Sequence, residues 1–135
     1  MREIKFRAWD KLNKKMFYVD KDFYINNSGI FEVFTDFTQG GMYKEKFDYA
    51  ELMQYTGRKD KKGNEIYEDD IFEISGYLHV VKFGQAVLGS GKAINGWYLE
   101  YKGVPAASLS DTYTKQGEVV GNMYENTELS KGGEK

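Results

Sequence analysis

Short segments in which apolar and charged residues alternate, or in which aromatic residues cluster, constrain the fold of this chain more than any other feature. Residues 3–9 alternate strictly, which is typical of a β-strand with one buried face. The predicted buried face carries Ile4, Phe6 and Ala8, and the predicted wet face carries Glu3, Lys5 and Arg7. An apolar run resumes at Met16 after a polar segment, so residues 3–19 are predicted to form a β-hairpin.

Aromatic-rich segments separated by turn residues predict further short strands. They lie at residues 23–25, 30–34, 79–83, 97–101 and 118–124, with another strand beginning near Asp70. Gly121 interrupts the last of them and predicts a bulge or a close backbone approach. The glycine-rich residues 84–96 are predicted to form a loop, and the strand spacing predicts a small barrel from about Gly63 to Tyr124.

One short helix is predicted at residues 49–56. Asp48 and Glu51 have the spacing of a capping box, good helix formers follow, and Gly57 supplies a stop. About two turns of helix are marginal alone, so this element needs tertiary packing. The charged residues 58–62 are predicted to form an exposed turn that leads towards the barrel.

The composition fits one mainly β domain in a reducing compartment. Aromatic residues make up 16% of the 135 residues, and there is no cysteine to form disulfides, thiolate nucleophiles or sulfur-based zinc sites. The first residues alternate charge with apolar side chains, unlike a signal peptide, and no run reaches the roughly eighteen apolar residues of a membrane span. We therefore expect a cytoplasmic protein that does not associate with membranes.

Three local patterns resemble catalytic or ligand-binding motifs, and each has a simpler structural interpretation. A hard cation could take oxygen ligands from Glu65, Glu68, Asp69 and Asp70, but the spacing of these residues is not that of a calcium loop. The alternative is that these carboxylates are solvated residues at the start of a strand. Residues 89–92 (GSGK) lack the spacing and the helix of a phosphate-binding loop. His79 is the only histidine and is predicted to lie on a strand surface or to be partly buried, and not to act as a general base. We expect no catalytic residue, no metal and no cofactor.

Two basic segments are candidate contacts for nucleic acid or a protein partner. The first fifteen residues hold six cations and two anions, a net charge of +4, and residues 58–62 hold four cations and one anion, a net charge of +3. The candidate contact residues are Lys5, Arg7, Trp9, Arg58, Lys59, Lys61 and Lys62. The overall net charge of −2 gives no global support for nucleic-acid binding, and solvated strand and turn surfaces remain the alternative.

Residues 23–49 carry more aromatic side chains than a domain of this size readily buries. Exposed aromatic surface is typical of interfaces. We therefore predict self-association through this region, and a homo-oligomer.

Three segments together resemble the YopX-like proteins of bacteriophages and prophages. They are residues 2–16 (REIKFRAWDKLNKKM), residues 52–71 (LMQYTGRKDKKGNEIYEDDI) and residues 117–129 (GEVVGNMYENTEL). Two positions depart from the pattern of that family, since Arg58 stands where an apolar residue is usual and Asp69 where glycine is usual. The change at Arg58 makes it uncertain whether that turn packs against the fold, and the change at Asp69 makes it uncertain whether the tight backbone turn is kept.

The resemblance implies a mainly β fold with a C-terminal SH3-like small barrel. One domain then covers residues 1–129, with an N-terminal β-hairpin and strand region and one short helix in residues 1–57, a barrel in residues 63–125, and a mobile tail in residues 130–135. The resemblance also implies a phage-encoded accessory protein in the cytoplasm of a bacterial host, with no established reaction. We expect a non-enzymatic protein-binding or assembly module with a host or phage protein as partner, and a nucleic-acid-binding accessory factor as the alternative.

Overall fold

The fold is mainly β, as predicted, and the strands that the structure describes pair antiparallel. The computed structural model describes residues 4–11, 14–18, 23–25, 31–37, 41–47, 50–129 and 133–134, with the backbone alone at 23–25, 31–37, 41–47, 50 and 133–134. The chain divides into two compact units, an N-terminal unit at Glu3–Gln54 and a barrel unit at Tyr55–Lys135.

The N-terminal unit begins with the predicted hairpin, formed by β1 (Phe6–Asp10) and β2 (Lys15–Tyr18). Strands β3 (Phe23–Ile25), β4 (Phe31–Phe37) and β5 (Gly41–Phe47) then form a three-stranded antiparallel sheet in chain order. The predictions of β3 and β4 are confirmed, and β5 was not predicted. The side chains of residues 23–47 lie outside the described residues, so self-association through them stays a prediction.

The predicted helix at residues 49–56 is wrong where the chain is described, because Ala50–Lys59 forms strand β6. Its first half pairs antiparallel with β1, from Phe6 opposite Gln54 to Asp10 opposite Ala50. Helix propensity over two turns is worth little, and a ladder of backbone hydrogen bonds outweighs it. The capping residue Asp48 lies outside the described residues.

The predicted one-sided burial of the first strand is also wrong. Ile4 is 68% exposed, whereas Arg7 and Asp10 are buried. Strand β1 lies between β2 and β6, and all four residues from Arg7 to Asp10 are buried. An internal strand with two buried faces does not keep the alternation of a strand with one wet face.

The barrel unit holds the remaining elements. Its strands are the second half of β6, β7 (Glu65–Tyr67), β8 (Asp70–Ile74), β9 (Tyr77–Val87), β10 (Ala93–Tyr101), β11 (Val104–Ser108), β12 (Glu118–Asn122) and β13 (Gly133–Glu134). A four-residue helix, α1 (Asp111–Thr114), precedes β12, and one 3₁₀ turn (Thr127–Leu129) follows it. The main sheet has the order β11-β10-β9-β8-β12 and curls into a half-barrel, with β13 paired to β9.

The predicted loop at residues 84–96 is wrong, since β9 and β10 continue through most of it. Gly84 and Gly96 lie directly opposite each other in the ladder, so neither interrupts it, and the connecting turn covers only residues 88–92. The strand beginning at Asp70 is confirmed. The bulge at Gly121 is confirmed as well, because the β8–β12 register shifts between Val119 and Gly121.

The core of the barrel unit lies on one face of the half-barrel. Phe72, Val81 and Leu99 come from three neighbouring strands, and the ladder registers place them on the same face. Helix α1 and the segment before it cover this face, since Leu109 belongs to the core and Tyr113 packs against it. The aromatic residues at the two ends of the same face are therefore only partly covered.

Candidate functional site

At one end of the core face, aromatic side chains line a groove of about 380 Å³. The residues that line this aromatic groove are Ile74, Ser75, Tyr77, His79, Tyr101, Ala106 and Tyr113. The β8–β9 hairpin positions Tyr77 opposite Ile74, and the period of two along β9 places His79 on the same face. The groove is thus built from both strands of the hairpin, the end of β10, β11 and α1.

The rings of the groove contact one another around Tyr101. Its ring centroid lies 5.9 Å from that of Tyr77, nearly edge to face, and 5.5 Å from that of His79. The ammonium of Lys102 lies 5.6 Å from the Tyr101 centroid, within range of a cation–π contact. Tyr77 is 46% exposed, so the groove offers solvent a large unburied ring.

His79, the only histidine, contributes a ring to the groove, and a hydrogen bond restrains the orientation of this ring. It is half-buried, as predicted, and its Nδ1 lies 3.3 Å from the carbonyl oxygen of Phe72, to which it donates in the Nδ1-protonated tautomer. The arrangement favours ring packing as the role of His79.

The edge of β9 beside the groove is paired with an extended segment. Gly133 lies opposite Leu78, and Glu134 lies opposite Tyr77, in an antiparallel ladder. These residues fall within the predicted tail, residues 130–135. The pairing places extended backbone alongside Tyr77.

A second concavity of about 710 Å³ lies at the other end of the core face. This charged cleft is lined by the charged residues Arg58, Lys59, Asp111 and Lys115 and by the apolar residues Trp97 and Leu109. The Arg58 guanidinium forms an ion pair with the Asp111 carboxylate. The Arg58 backbone N–H donates to Thr56 Oγ1 at 3.1 Å, so hydrogen bonds hold both the backbone and the side chain of this residue at the end of β6.

The structure places the predicted contact residues in different settings. Arg58 and Lys59 line the charged cleft, while Lys61 and Lys62 are exposed on the next turn. In the N-terminal unit Lys5 is half-buried, and Arg7 and Trp9 are buried. The ammonium of Lys62 lies 2.9 Å from Glu118 Oε2, and its hydrogen bond is the main cause that holds the pKa of Glu118 below its usual value.

Asp60, in the segment predicted to be an exposed turn, is buried and joins two parts of the barrel unit. Its Oδ1 accepts hydrogen bonds from the backbone N–H of Lys62 and of Asn64, at 2.9 and 2.8 Å. Its Oδ2 accepts from the backbone N–H of Val119 at 2.8 Å and from Asn64 Nδ2 at 3.1 Å. Burial alone raises the pKa of Asp60, but these hydrogen bonds outweigh it and hold the pKa below its usual value.

The tight turn at Asp69 keeps the backbone conformation that glycine usually adopts. Asp69 has φ of +67°, in the left-handed region where aspartate is among the better tolerated residues. Its carboxylate accepts hydrogen bonds from Lys82 Nζ at 3.0 Å and from the Tyr124 hydroxyl at 3.2 Å. Burial alone lowers the pKa of Lys82, but the Asp69 carboxylate outweighs it and raises that pKa.

The acidic segment that leads into β8 makes a hydrogen bond with the backbone of the preceding turn. Asp70 Oδ2 accepts a hydrogen bond from the backbone N–H of Tyr67 at 2.8 Å, which closes the β7–β8 turn. Within the described residues, no three or more histidine, aspartate or glutamate side chains come together as metal ligands. The same part of the chain contains no helix that is long and apolar enough to cross a membrane.

Comparisons with known proteins identify a family model that matches the sequence and a solved structure that is similar in fold. The family model described as YopX protein matches residues 5–131. The crystal structure of protein EF1440 from Enterococcus faecalis is similar in fold, with a TM-score of 0.60 and 24% sequence identity. The match covers 96% of this chain and 99% of that one. A search of functionally curated proteins gives no match.

Proposed function

We propose that this chain, which belongs to the YopX family, is a non-enzymatic module that binds an extended segment of a protein partner in the aromatic groove. The observation that carries the proposal is a cluster of partly exposed rings directly beside a strand edge that pairs with extended backbone. Side-chain pockets and main-chain hydrogen bonds are the two elements of strand-addition recognition.

The rings supply apolar contact area at a low entropic cost. Tyr77, His79 and Tyr101 already restrain one another through ring contacts, so little side-chain freedom is left to lose on binding. Partly exposed aromatic residues that surround an apolar pocket are typical energetic centres of protein interfaces. Tyrosine hydroxyls at the rim offer hydrogen bonds to a peptide backbone.

The pairing of β13 supports an extended occupant. The edge of β9 at Tyr77 and Leu78 accepts the backbone of Gly133 and Glu134, residues with no apolar side chain to place in the groove. A partner segment with apolar side chains adds contacts with the rings to the same backbone pairing. We infer that such a segment displaces β13 and occupies the groove.

The same proposal includes the type of barrel, the origin of the protein, its location and its partner. We infer an SH3-like barrel for the barrel unit, because its strands form an antiparallel half-barrel with an aromatic groove. The resemblance of the three sequence segments supports a phage or prophage origin and a host cytoplasmic location, with a host or phage protein as partner.

We further propose that the chain forms a homo-oligomer through residues 23–49. The aromatic content of that segment supports this part of the proposal. Multi-angle light scattering is expected to give a mass above 15.6 kDa that rises with protein concentration. A monomer mass at all concentrations up to about 100 μM, where weak association is populated, would contradict it.

Peptide binding is tested by selecting ligands from a displayed random peptide library and measuring their affinity by fluorescence anisotropy. The substitutions Tyr77→Ala and Tyr101→Ala are each expected to weaken binding by about tenfold or more, because each removes a central ring. Val87→Ala is the matched control, since Val87 is 63% exposed on the same strand but does not line the groove. It should bind like the unaltered protein.

The selected peptides also report on the strand edge. A chain shortened by residues 130–135 is expected to bind them more tightly, because no segment then competes for β9. If library selection yields no ligand, or if Val87→Ala and Tyr101→Ala reduce affinity equally, the groove is not the peptide site.

A further inference from the structure

We propose that the charged cleft is a second site, which binds single-stranded nucleic acid independently of the aromatic groove. Phosphates are held by the cations of the cleft, and a base stacks on the aromatic side chains at its rim. Two independent observations carry this assignment. They are the local positive charge and an aromatic wall, formed by Trp97, which lines the cleft, and by its ring partner Phe83.

The charge of the cleft is opposite in sign to that of the whole chain. Its lining holds Arg58, Lys59 and Lys115 against Asp111, which gives +3 − 1 = +2, whereas the chain as a whole carries −2. Glu65 lies opposite Lys59 in the β6–β7 ladder but does not line the cleft. A local positive surface of this kind concentrates a polyanion despite a negative net charge.

The Arg58–Asp111 ion pair is a contact that phosphate can replace. The Asp111 side chain is 78% exposed and that of Arg58 is 38% exposed, so the pair lies largely in water, where such pairs are weak. A guanidinium binds a phosphate through two parallel hydrogen bonds, as it does a carboxylate. Phosphate therefore competes with Asp111 for Arg58.

The aromatic wall distinguishes this cleft from a simple anion site. Trp97 lines the cleft and lies opposite Phe83 in the β9–β10 ladder, with ring centroids 4.7 Å apart. Phe83 is 56% exposed, so the pair presents ring surface to solvent. Aromatic surface next to cations is the combination that binds single strands through stacking and phosphate contacts.

The backbone beside the wall leaves room for a base. Gly57 and Gly96 both line the cleft and carry no side chain that narrows it. A volume of about 710 Å³ lies in the usual range for a site that holds a small organic group, and exceeds what one inorganic phosphate needs. The favoured ligand is therefore a nucleotide chain and not a free anion.

The test is fluorescence anisotropy with a labelled eight-residue oligothymidylate at low salt. Asp111→Asn is expected to tighten binding about threefold or more, because it frees the Arg58 guanidinium from competition. Arg58→Gln is expected to weaken binding about tenfold, and Phe83→Ala about fivefold or more. Lys92→Gln is the matched control, since it removes an exposed cation from the β9–β10 turn, outside the cleft.

The salt dependence of the affinity distinguishes the loss of a phosphate contact from a loss of folding. Three phosphate contacts predict a slope of log affinity against log salt of about −2, and Arg58→Gln is expected to reduce its size by about 0.7. Thermal unfolding of each variant checks that the fold is intact. Tyr101→Ala should leave this binding unchanged, since it alters only the aromatic groove.

Three results would overturn the assignment. They are no binding at micromolar protein in low salt, equal affinities for Asp111→Asn and Arg58→Gln, and equally tight binding of an eight-residue polyglutamate peptide. The last result would point to an acidic protein segment in the cleft.

Discussion

Replacing Asp60 with alanine is expected to lower the free energy of unfolding by about 3 kcal/mol, because it removes four hydrogen bonds at one buried carboxylate. The backbone N–H of Val119 loses its contact with the β6–β7 turn, and the turn loses the acceptor that bridges Lys62 and Asn64. Urea denaturation followed by circular dichroism measures the change.

The same carboxylate predicts a pH dependence. The pKa of Asp60 is held below its usual value of 3.8, so its contribution to stability is fully present above that pH. The contribution is lost as the pH falls below about 4 and through the lowered pKa, where the folded protein must take up the proton. Asp60→Asn is expected to flatten this part of the profile, because it carries no titratable group.

Two outcomes would contradict this role of Asp60. One is a loss below about 1 kcal/mol for Asp60→Ala, which is the scale of an exposed turn residue. The other is an Asp60→Asn variant that keeps the full acid dependence between pH 4 and pH 2.

Replacing Gly117 with alanine is expected to cost about 3 kcal/mol, because a Cβ at this position meets the core. It would overlap Phe72 Cε2 and lie 2.7 Å from both Phe72 Cζ and the carbonyl oxygen of Glu73. Phe72 is fully buried, and the backbone of Gly117 is held by hydrogen bonds to Lys61 and Tyr113, each 3.1 Å long. Neither side of this contact moves without breaking other contacts.

Gly121→Ala is the matched control for this crowding. A Cβ at Gly121 meets the side chain of Asn126, whose Oδ1 and Cγ can rotate away, while Asn126 Cβ stays 3.1 Å from the added atom. The loss is then the hydrogen bond from the Asn122 N–H to Asn126 Oδ1, a cost of about 1 kcal/mol. Equal losses for the two alanine variants, measured by urea denaturation, would show that the rigidity of Phe72 does not decide the cost.

Some short strands bounded by turn residues could be predicted from local pattern, as at β3, β8 and β12, but the equally short β7 and β11 were not. The prediction failed where a partner strand decided the conformation. Residues 50–54 lie in the segment predicted to be helical but pair with β1, and Gly84 and Gly96 look like loop residues but face each other in a ladder. No local pattern reports which distant strand a segment will pair with.

The two candidate sites differ in how much of them the sequence reveals. Charge alone identified Arg58 and Lys59, which line the cleft, but not the distant Asp111 that pairs with Arg58. The aromatic groove was missed, because its rings come from separate elements that only the sheet register brings together.

The buried role of Asp60 was also missed, although a signal was present. An aspartate followed within four residues by glycine and asparagine is typical of a turn that the carboxylate closes on its own backbone. The density of lysines around Asp60 indicated exposure instead, and that interpretation holds for Lys61 and Lys62 but not for Asp60.

An NMR titration of the isotopically labelled protein with a library-selected peptide locates the peptide on the protein residue by residue. Binding in the aromatic groove should shift the amide signals of Tyr77, Leu78 and Tyr101, together with those of Gly133 and Glu134 as β13 is displaced. The amides of Arg58 and Lys115 in the charged cleft should not move. Shift changes confined to the cleft or to the N-terminal unit, with none at Tyr77 or Tyr101, would show that the peptide does not bind in the aromatic groove.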